Sequence, residues 1–327
     1  VSDLLLKIGG LEYSGWESIR VNRSLETVAG SFELTVSNRT RARMLTLPAP
    51  GDACRVVINS LPVITGYVDA LTQSGDAESH TITVVGRDLT ADLVDCSILK
   101  AKQWQGVELN KVLRELLQPF GIELSSGAAW RCERWSVHPG EGVFDAIERL
   151  LQLSGYLSHT DGAGRLVVGR PGQLKAEMDL EVGVNVVSYE ESLDHTGRFS
   201  ELKVLGQHES DASPTLSASE LDARVRRYRP LVVMSDGAAS RSGVRRRAKW
   251  EQATRKGKSR QVNVTVAGWF DSSSSLWELN RLVRYSNLMT GADEELLISA
   301  VDLSLNEQGT TTTLHLVGKD AFDVEAA

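Results

Sequence analysis

The pentapeptide VVGRD at Val84–Asp88 returns as LVGKD at Leu316–Asp320, and this pair decides how the whole chain is read. In each copy an aliphatic run stops at a glycine, and a basic residue and an aspartate follow. The first copy continues as LTADLVDCS, so Asp88, Asp92 and Asp95 fall along one helical face. They could be the acid–base set of an enzyme or the start of a helix that closes a strand. The second copy keeps only Asp320 of the three, and a duplicated active site would not survive that loss. The spacing therefore predicts that Gly86 and Gly318 turn the chain at a strand end. Asp88 and Asp320 are then expected to cap the next turn as structural N-caps, with Asp92 and Asp95 on its solvent face.

The repeat extends backwards in the same order. Tyr67-Val68-Asp69 matches Ala300-Val301-Asp302, and RSLETVAGSFELTV (23–36) matches ESLDHTGRFSELKV (191–204). Three matches in sequence imply two copies of one β domain. Ser24 to Asp69 spans 45 positions, whereas Ser192 to Asp302 spans 110, so about 65 residues interrupt the second copy.

Between the copies the periodicity changes. Short runs rich in Val, Ile and Thr fill residues 1–87 (LLLKI, SIRVNR, FELTV, CRVVI, VITGYVDAL, HTITVVG), separated by Gly, Pro, Asn and Asp. A helical period then places Leu109, Val112, Leu113, Leu116 and Leu117 on one face. It recurs 34 residues on with Val143, Ala146, Ile147, Leu150 and Leu151, and Gly155 matches Gly121. The expected fold class is α+β, mainly β, with two tube-like β-barrel domains, the second discontinuous, and two small α+β domains. The expected boundaries are 1–97 for the first barrel and 98–175 for a domain of two helix–strand units. Residues 176–206 with 259–327 form the second barrel, and 207–258 an inserted α+β domain with a basic helix.

Composition excludes several functions. With 41% hydrophobic and 24% charged residues in 327, the chain is ordinary globular protein. No apolar run approaches the roughly 20 residues of a membrane span, and the N-terminus lacks a signal-peptide pattern. Three scattered cysteines argue against a disulfide framework, and six histidines form no HxxxH or HxH pair. No P-loop, G-x-S-x-G or G-x-G-x-x-G occurs. Glu141, Asp145 and Glu148 could suggest a glycosidase pair, but they sit where a helix begins and carries its solvated face. No catalytic, cofactor-binding or metal-binding residue is assigned, and no cofactor or small-molecule substrate is expected.

Charge is uneven. Thirteen Lys and Arg between Arg224 and Arg260 face only Asp236 and Glu251, a local +11, and the chain total of −7 leaves −18 for the remainder. Arg245, Arg246 and Arg247 are the candidate partner-binding residues of this segment. A solvated helix face, an acidic protein surface and nucleic acid are its three possible uses. Only Trp250 interleaves with the cations, which speaks against a stacking platform for single strands.

GWESIRVNRSLETVAGSFELTV (15–36), PGDACRVVI (50–58), ITGYVD (64–69) and GRDLTADLVDC (86–96) together resemble the baseplate hub proteins of Mu-like contractile-tailed phages. RYRPLVV (227–233), VAGW (266–269) and LLISAVDLSLNEQGTTTTLHLVGKDAF (296–322) resemble the C-terminal half of the same family. The resemblance implies a structural virion protein and not an enzyme. Its expected form is a homotrimer whose duplicated barrels make a pseudo-six-fold ring. Such a ring would join the tail tube and other baseplate proteins to the membrane-piercing spike, with DNA only passing through its channel. The expected location is the virion tail baseplate, assembled in the bacterial host cytoplasm. A tail-associated peptidoglycan hydrolase and a nucleic-acid-binding module are the alternatives.

Overall fold

The computed structural model describes residues 4–37, 47–76, 80–207, 216–238, 241–271 and 275–322. The first third is strand: β1 (Leu4–Ile8), β2 (Leu11–Tyr13), β3 (Ser18–Ser24), β4 (Ser31–Ser37), β5 (Ala53–Ile58), β6 (Leu61–Gly75) and β7 (His80–Asp88). A short helix α1 (Ala91–Asp95) leads to β8 (Lys102–Glu108), α2 (Leu109–Leu117), β9 (Leu124–Ser126) and β10 (Arg131–Val137). Then come α3 (Val143–Ser154), β11 (Leu157–Thr160), β12 (Leu166–Gly169), β13 (Leu174–Lys175), β14 (Leu180–Glu181), β15 (Val186–Leu193) and β16 (Glu201–Gln207). β17 (Leu216–Leu221), β18 (Pro230–Ala238) and the long helix α4 (Arg241–Lys258) follow. The chain closes with β19 (Arg260–Ala267), β20 (Arg281–Asn287), β21 (Ala292–Asn306) and β22 (Gly309–Val317). Strands hold 52% and helices 17%, so the fold is mainly β, as the alternation of Val, Ile and Thr predicts.

Two units emerge. The first holds residues 1–169, 265–279 and 299–314, and the second holds 170–264, 280–298 and 315–327. β19, β21 and β22 divide their residues between them.

In the first unit β3, β4, β7, β6, β5, β1 and β2 lie side by side in that order, and residues 300–305 of β21 pair with β3 on its other side. Period-two burial fixes the register: Ile19, Val21, Phe32, Leu34, Ile82 and Val84 point into the core while their neighbours face out. The helical part of this unit obeys its 34-residue repeat. The apolar faces of α2 and α3 are buried in one cluster with Trp104, Trp135 and Leu166, and each fully covered aliphatic side chain contributes about 1.5–3 kcal/mol. Gly121 (φ 66°) and Gly155 (φ 75°) both take the left-handed conformation that ends a helix.

In the second unit β15 lies beside β19, and β20 pairs with residues 292–297 of β21. A separate sheet sets β16 between antiparallel β17 and parallel β18. Leu202 and Val204 on its inner face pack against Val244 and Ala248 of α4. This corrects one sequence expectation. ELKV at 201–204 lies in this inserted sheet, not in the second β domain where its likeness to FELTV placed it; backbone pairing with β17 and β18 decides the matter. The first part of the polar stretch, residues 208–215, lies outside the described residues.

The duplication itself is visible in strand order, because β15, β19, β22, β21 repeats β3, β4, β7, β6. Its register differs from the one that the pentapeptides suggest. Thr35 and Thr83 share a hydroxyl hydrogen bond of 3.1 Å, and Thr265 and Thr313 share another of 3.1 Å, each 230 residues further on. Ser304 bonds Thr311 where Ser74 faces Thr81. By this register Val84–Asp88 corresponds to Leu314–Gly318, so LVGKD stands two residues away from VVGRD. Gly86 is no turn either: it lies inside β7, opposite Phe32 and Val68.

Candidate functional site

Asp88 does not cap a helix. The N-cap position of α1 is Thr90, which makes no side-chain capping bond. Asp88 is instead buried, 2% exposed. Its Oδ2 accepts from Gly30 N–H at 2.7 Å and from the Thr160 hydroxyl at 2.8 Å, and its Oδ1 accepts from Thr90 N–H at 2.9 Å and from the Thr90 hydroxyl. One carboxylate thus ties β7 to the segment before β4 and to the end of β11. Burial pushes its pKa up, against hydrogen bonds from Thr90, Thr160 and Gly30 that favour the charged form. Beside it the Arg23 guanidinium donates to Thr160 O at 2.8 Å, and burial lowers its pKa.

The neighbouring acids are engaged by an arginine. Arg87 bonds Asp69 and Asp95 at 2.7 Å each. Arg87 and Asp69, with Gly51, Tyr67, Val68, Asp88, Ala91 and Asp92, line an open hollow of about 360 Å³. Its Asp69 and Asp88 carboxylates are held as acceptors. Just before α3, Glu141 pairs with Arg149 of that helix, and on it Glu148 accepts from Gln152 at 3.4 Å, so neither forms a facing carboxylate pair.

Asp320 is likewise no cap. It lies within a single 3-10 turn, Lys319–Ala321, whose N-cap is Gly318, and its carboxylate meets Lys256 at 3.5 Å on the surface.

The three arginines of α4 do not act alike. Arg245 and Arg246 are exposed. Arg247 donates to Glu251 at 2.8 and 3.0 Å and stacks 4.6 Å from the centre of the Trp250 ring. Glu251 also takes Arg255 at 3.2 Å. The i, i+4 spacing that put the cations on one helix therefore also supplies a buried counter-charge. Below the helix Arg198 grips Asp222 through Nε and Nη2, at 2.8 and 2.6 Å, with both side chains nearly covered.

Sequence reading missed one polar centre. Glu191 on β15 accepts from Tyr285 at 2.8 Å, Asn287 at 2.9 Å and Thr290 at 2.9 Å, with Arg260 at 3.6 Å. Burial works against its charge, but these donors outweigh it and hold its pKa below the ordinary value. Burial and Glu191 together push the Tyr285 hydroxyl up to about 12. β15 reads VVSYEESL, with no alternation to mark Glu191 as facing inward. Among the described residues no group of His, Cys, Asp and Glu has the arrangement of a metal site, and no helix is long and apolar enough to cross a membrane.

Four family profiles match the chain. Residues 3–88 match the N-terminal domain of Mu phage baseplate assembly protein GpP-like proteins, and 90–170 match the second domain of baseplate hub protein gp44-like proteins. Residues 198–250 match the third domain of tail protein NMB1110-like proteins, and 240–325 the fourth domain of GpP. Baseplate hub protein gp44 of Escherichia phage Mu is 33% identical over 341 residues, 97% of this chain and 88% of that protein. The 43 kDa tail protein of prophage MuSo2 from Shewanella oneidensis superposes with a TM-score of 0.89 at 33% identity, over 99% of this chain and all of that one. A tail protein from Neisseria meningitidis MC58 shares the fold at a TM-score of 0.88 and 22% identity, over 98% of both chains. These matched relatives and families are structural baseplate and tail proteins, not enzymes.

Proposed function

We propose that this chain, which belongs to the family of Mu-like phage baseplate hub proteins, forms a trimeric ring that joins the tail tube to the membrane-piercing spike. Its role as a phage baseplate hub follows from the family; the trimer, the spike contact and the DNA channel are our reading. The observation that carries it is the strand order β3, β4, β7, β6 repeated within one chain. Three chains with two copies each present six equivalent strand sets, so one ring can match a six-fold partner on one face and a three-fold partner on the other. Two β-barrels built on these sets, the helical domain at 98–175 and the domain carrying α4 are the four working parts. Assembly takes place in the host cytoplasm, and DNA passes through the channel once the baseplate is triggered.

In this reading Arg245 and Arg246 dock on an acidic protein neighbour and stay off the channel wall. A wall rich in arginine would hold DNA by its phosphates and slow its passage. The structural alternative for α4, a DNA-gripping helix, predicts retention of DNA that falls steeply with salt.

Light scattering on the purified chain, alone and with the spike protein, tests the proposal. A mass of three chains, and a larger stoichiometric complex with spike, is expected. A monodisperse monomer of 35.7 kDa at micromolar concentration would overturn it.

A further inference from the structure

The hairpin β20–β21 ends in an apolar turn. Its Leu288 and Met289 are 91% and 85% exposed, although turns in water ordinarily carry Gly, Asn, Asp or Ser. A third apolar side chain stands at the same end of the unit. β14 runs parallel beside β20, with Glu181 opposite Ser286, and Val182 N–H donates to Ser286 O at 3.0 Å. The turn that follows β14 therefore emerges beside the hairpin tip, and its Val184 is 74% exposed. Large apolar side chains gathered at one exposed end mark an interaction site.

The tip is also held fixed. Asn287 is buried at its base. Its Oδ1 accepts from Met289 N–H at 3.0 Å, and its Nδ2 donates to Glu191 Oε1 at 2.9 Å. On the far side the Thr290 hydroxyl donates to the same Glu191 oxygen at 2.9 Å. The polar centre around Glu191 thus clamps both ends of a turn whose middle is two bare apolar side chains. A turn that is rigid before binding loses little conformational freedom when it binds.

The duplicated domain supplies the contrast. β21 is the counterpart of β6, so the corresponding hairpin of the first copy is β5–β6. Ile58 pairs with Leu61 across its turn as Asn287 pairs with Ala292. That turn is Asn59–Ser60, two polar residues in the left-handed conformation (φ 47° and 70°). The apolar tip therefore occurs once per chain, not once per copy. A trimer carries three such tips, whereas a six-fold partner offers six equivalent sites. A feature present three times matches the three-fold partner.

We infer that the Leu288–Met289 tip, with Val184 beside it, seats the spike protein by entering an apolar socket on it, and takes no part in tube docking. Its chemistry differs from that of the α4 arginines, because an apolar contact keeps its strength in salt while a charge contact is screened. This inference rests on the trimeric hub reading above and assigns a surface to its spike contact.

Spike and tail-tube binding by the full chain test it, with light scattering to follow the trimer. Leu288→Ser with Met289→Ser changes only exposed side chains and should leave trimer mass and melting curve at parental values. It is expected to weaken spike binding by roughly tenfold or more, as loss of interface anchors does. That loss should be equal at low and high salt, with tube binding unchanged. Thr290→Val keeps both apolar side chains but frees one end of the turn, and should weaken spike binding by a smaller factor. Leu221→Ser changes an exposed leucine on β17 and should bind as the parent does. Spike binding that survives the double substitution, a loss confined to tube binding, an equal loss from Leu221→Ser, or a variant that no longer forms the parental trimer overturns the inference. Each of these leaves the hub reading standing. A parental chain that is monomeric or takes up no spike overturns both.

Discussion

Asp88 Oδ2 accepts a 2.7 Å hydrogen bond from the Gly30 N–H, across 58 residues of chain. The same carboxylate holds Thr90 and Thr160. Asp88→Ala leaves these donors buried without an acceptor, at about 1–3 kcal/mol for each that water cannot reach. The expected loss in urea unfolding is at least about 2 kcal/mol. Parental stability in this variant would show that the donors find other partners.

The titration of Asp88 adds a pH signature. Burial raises its folded pKa above the unfolded value of 3.8. Between those two values the folded chain holds a proton that the unfolded chain has lost, so stability falls as pH rises through the window. Below 3.8 the contribution is fully present. Asp88→Asn has no such term. The stability of the parent relative to Asp88→Asn should therefore be greatest near the acid end and decline toward neutral pH. Unfolding curves at several pH values measure it, and a difference that grows with pH contradicts the burial argument.

Asp320 should behave differently, although sequence places it beside Asp88. Its pair with Lys256 spans 3.5 Å, with side-chain exposures of 42% and 49%. Surface pairs of this kind contribute about 0–1 kcal/mol. Asp320→Ala is expected to shift the melting temperature by no more than a degree or two for a chain of this size, about half a kilocalorie. A loss equal to that of Asp88→Ala would mean that the two aspartates are equivalent after all.

These two residues show which part of the fold can be read before a structure exists. Alternating Val, Ile and Thr locate β1, β3 to β7 because one buried face imposes a period of two. The helical period locates α2 and α3, and Gly121 and Gly155 mark their ends. Duplication is legible because LVGKD resembles VVGRD, yet that resemblance is out of register by two residues. A strand repeats its chemistry every second residue, so a two-residue slip keeps every side chain on its own face. Only the cross-strand hydroxyl bonds Thr35–Thr83 and Thr265–Thr313 resolve the slip. For the same reason ELKV at 201–204 passes for a strand of the second copy. The roles of Asp88 and Glu191 depend on donors 58 to 99 residues away, which no local pattern announces.

Gly86 is required for space rather than for a turn. A Cβ at this position would stand 2.3 Å from Tyr67 O and 2.5 Å from the Phe32 ring. Backbone on β6 and a core ring cannot both retreat without opening the β4–β7–β6 register. At Gly318 the nearest atom would be Gly257 Cα, at 3.3 Å. Gly86→Ala is therefore expected to cost about 1–3 kcal/mol, the range of overpacked cores. Gly318→Ala should cost clearly less. Chemical denaturation of the two variants side by side decides it, and equal losses would restore the view that both glycines serve one purpose.

The arginines of α4 yield the last contrast. Arg247 neutralises Glu251, whose side chain is 9% exposed and which Arg255 also meets at 3.2 Å. Arg247→Glu places a second carboxylate one helical turn from Glu251 and removes a charge that made its burial tolerable. Breaking a largely buried pair in this way is expected to destabilise by roughly 3 kcal/mol or more. Arg245→Glu with Arg246→Glu changes exposed positions and should leave thermal melting within about 0.5 kcal/mol of the parent. The double variant is thus the one that reports on partner binding. If Arg245 and Arg246 dock on an acidic neighbour, it should keep the parental melting curve and lose spike or tube binding most strongly at low salt, where charge attraction is least screened. Unchanged binding at every salt concentration would assign these two side chains to solvent. Loss of DNA retention alone would assign α4 to the conduit wall.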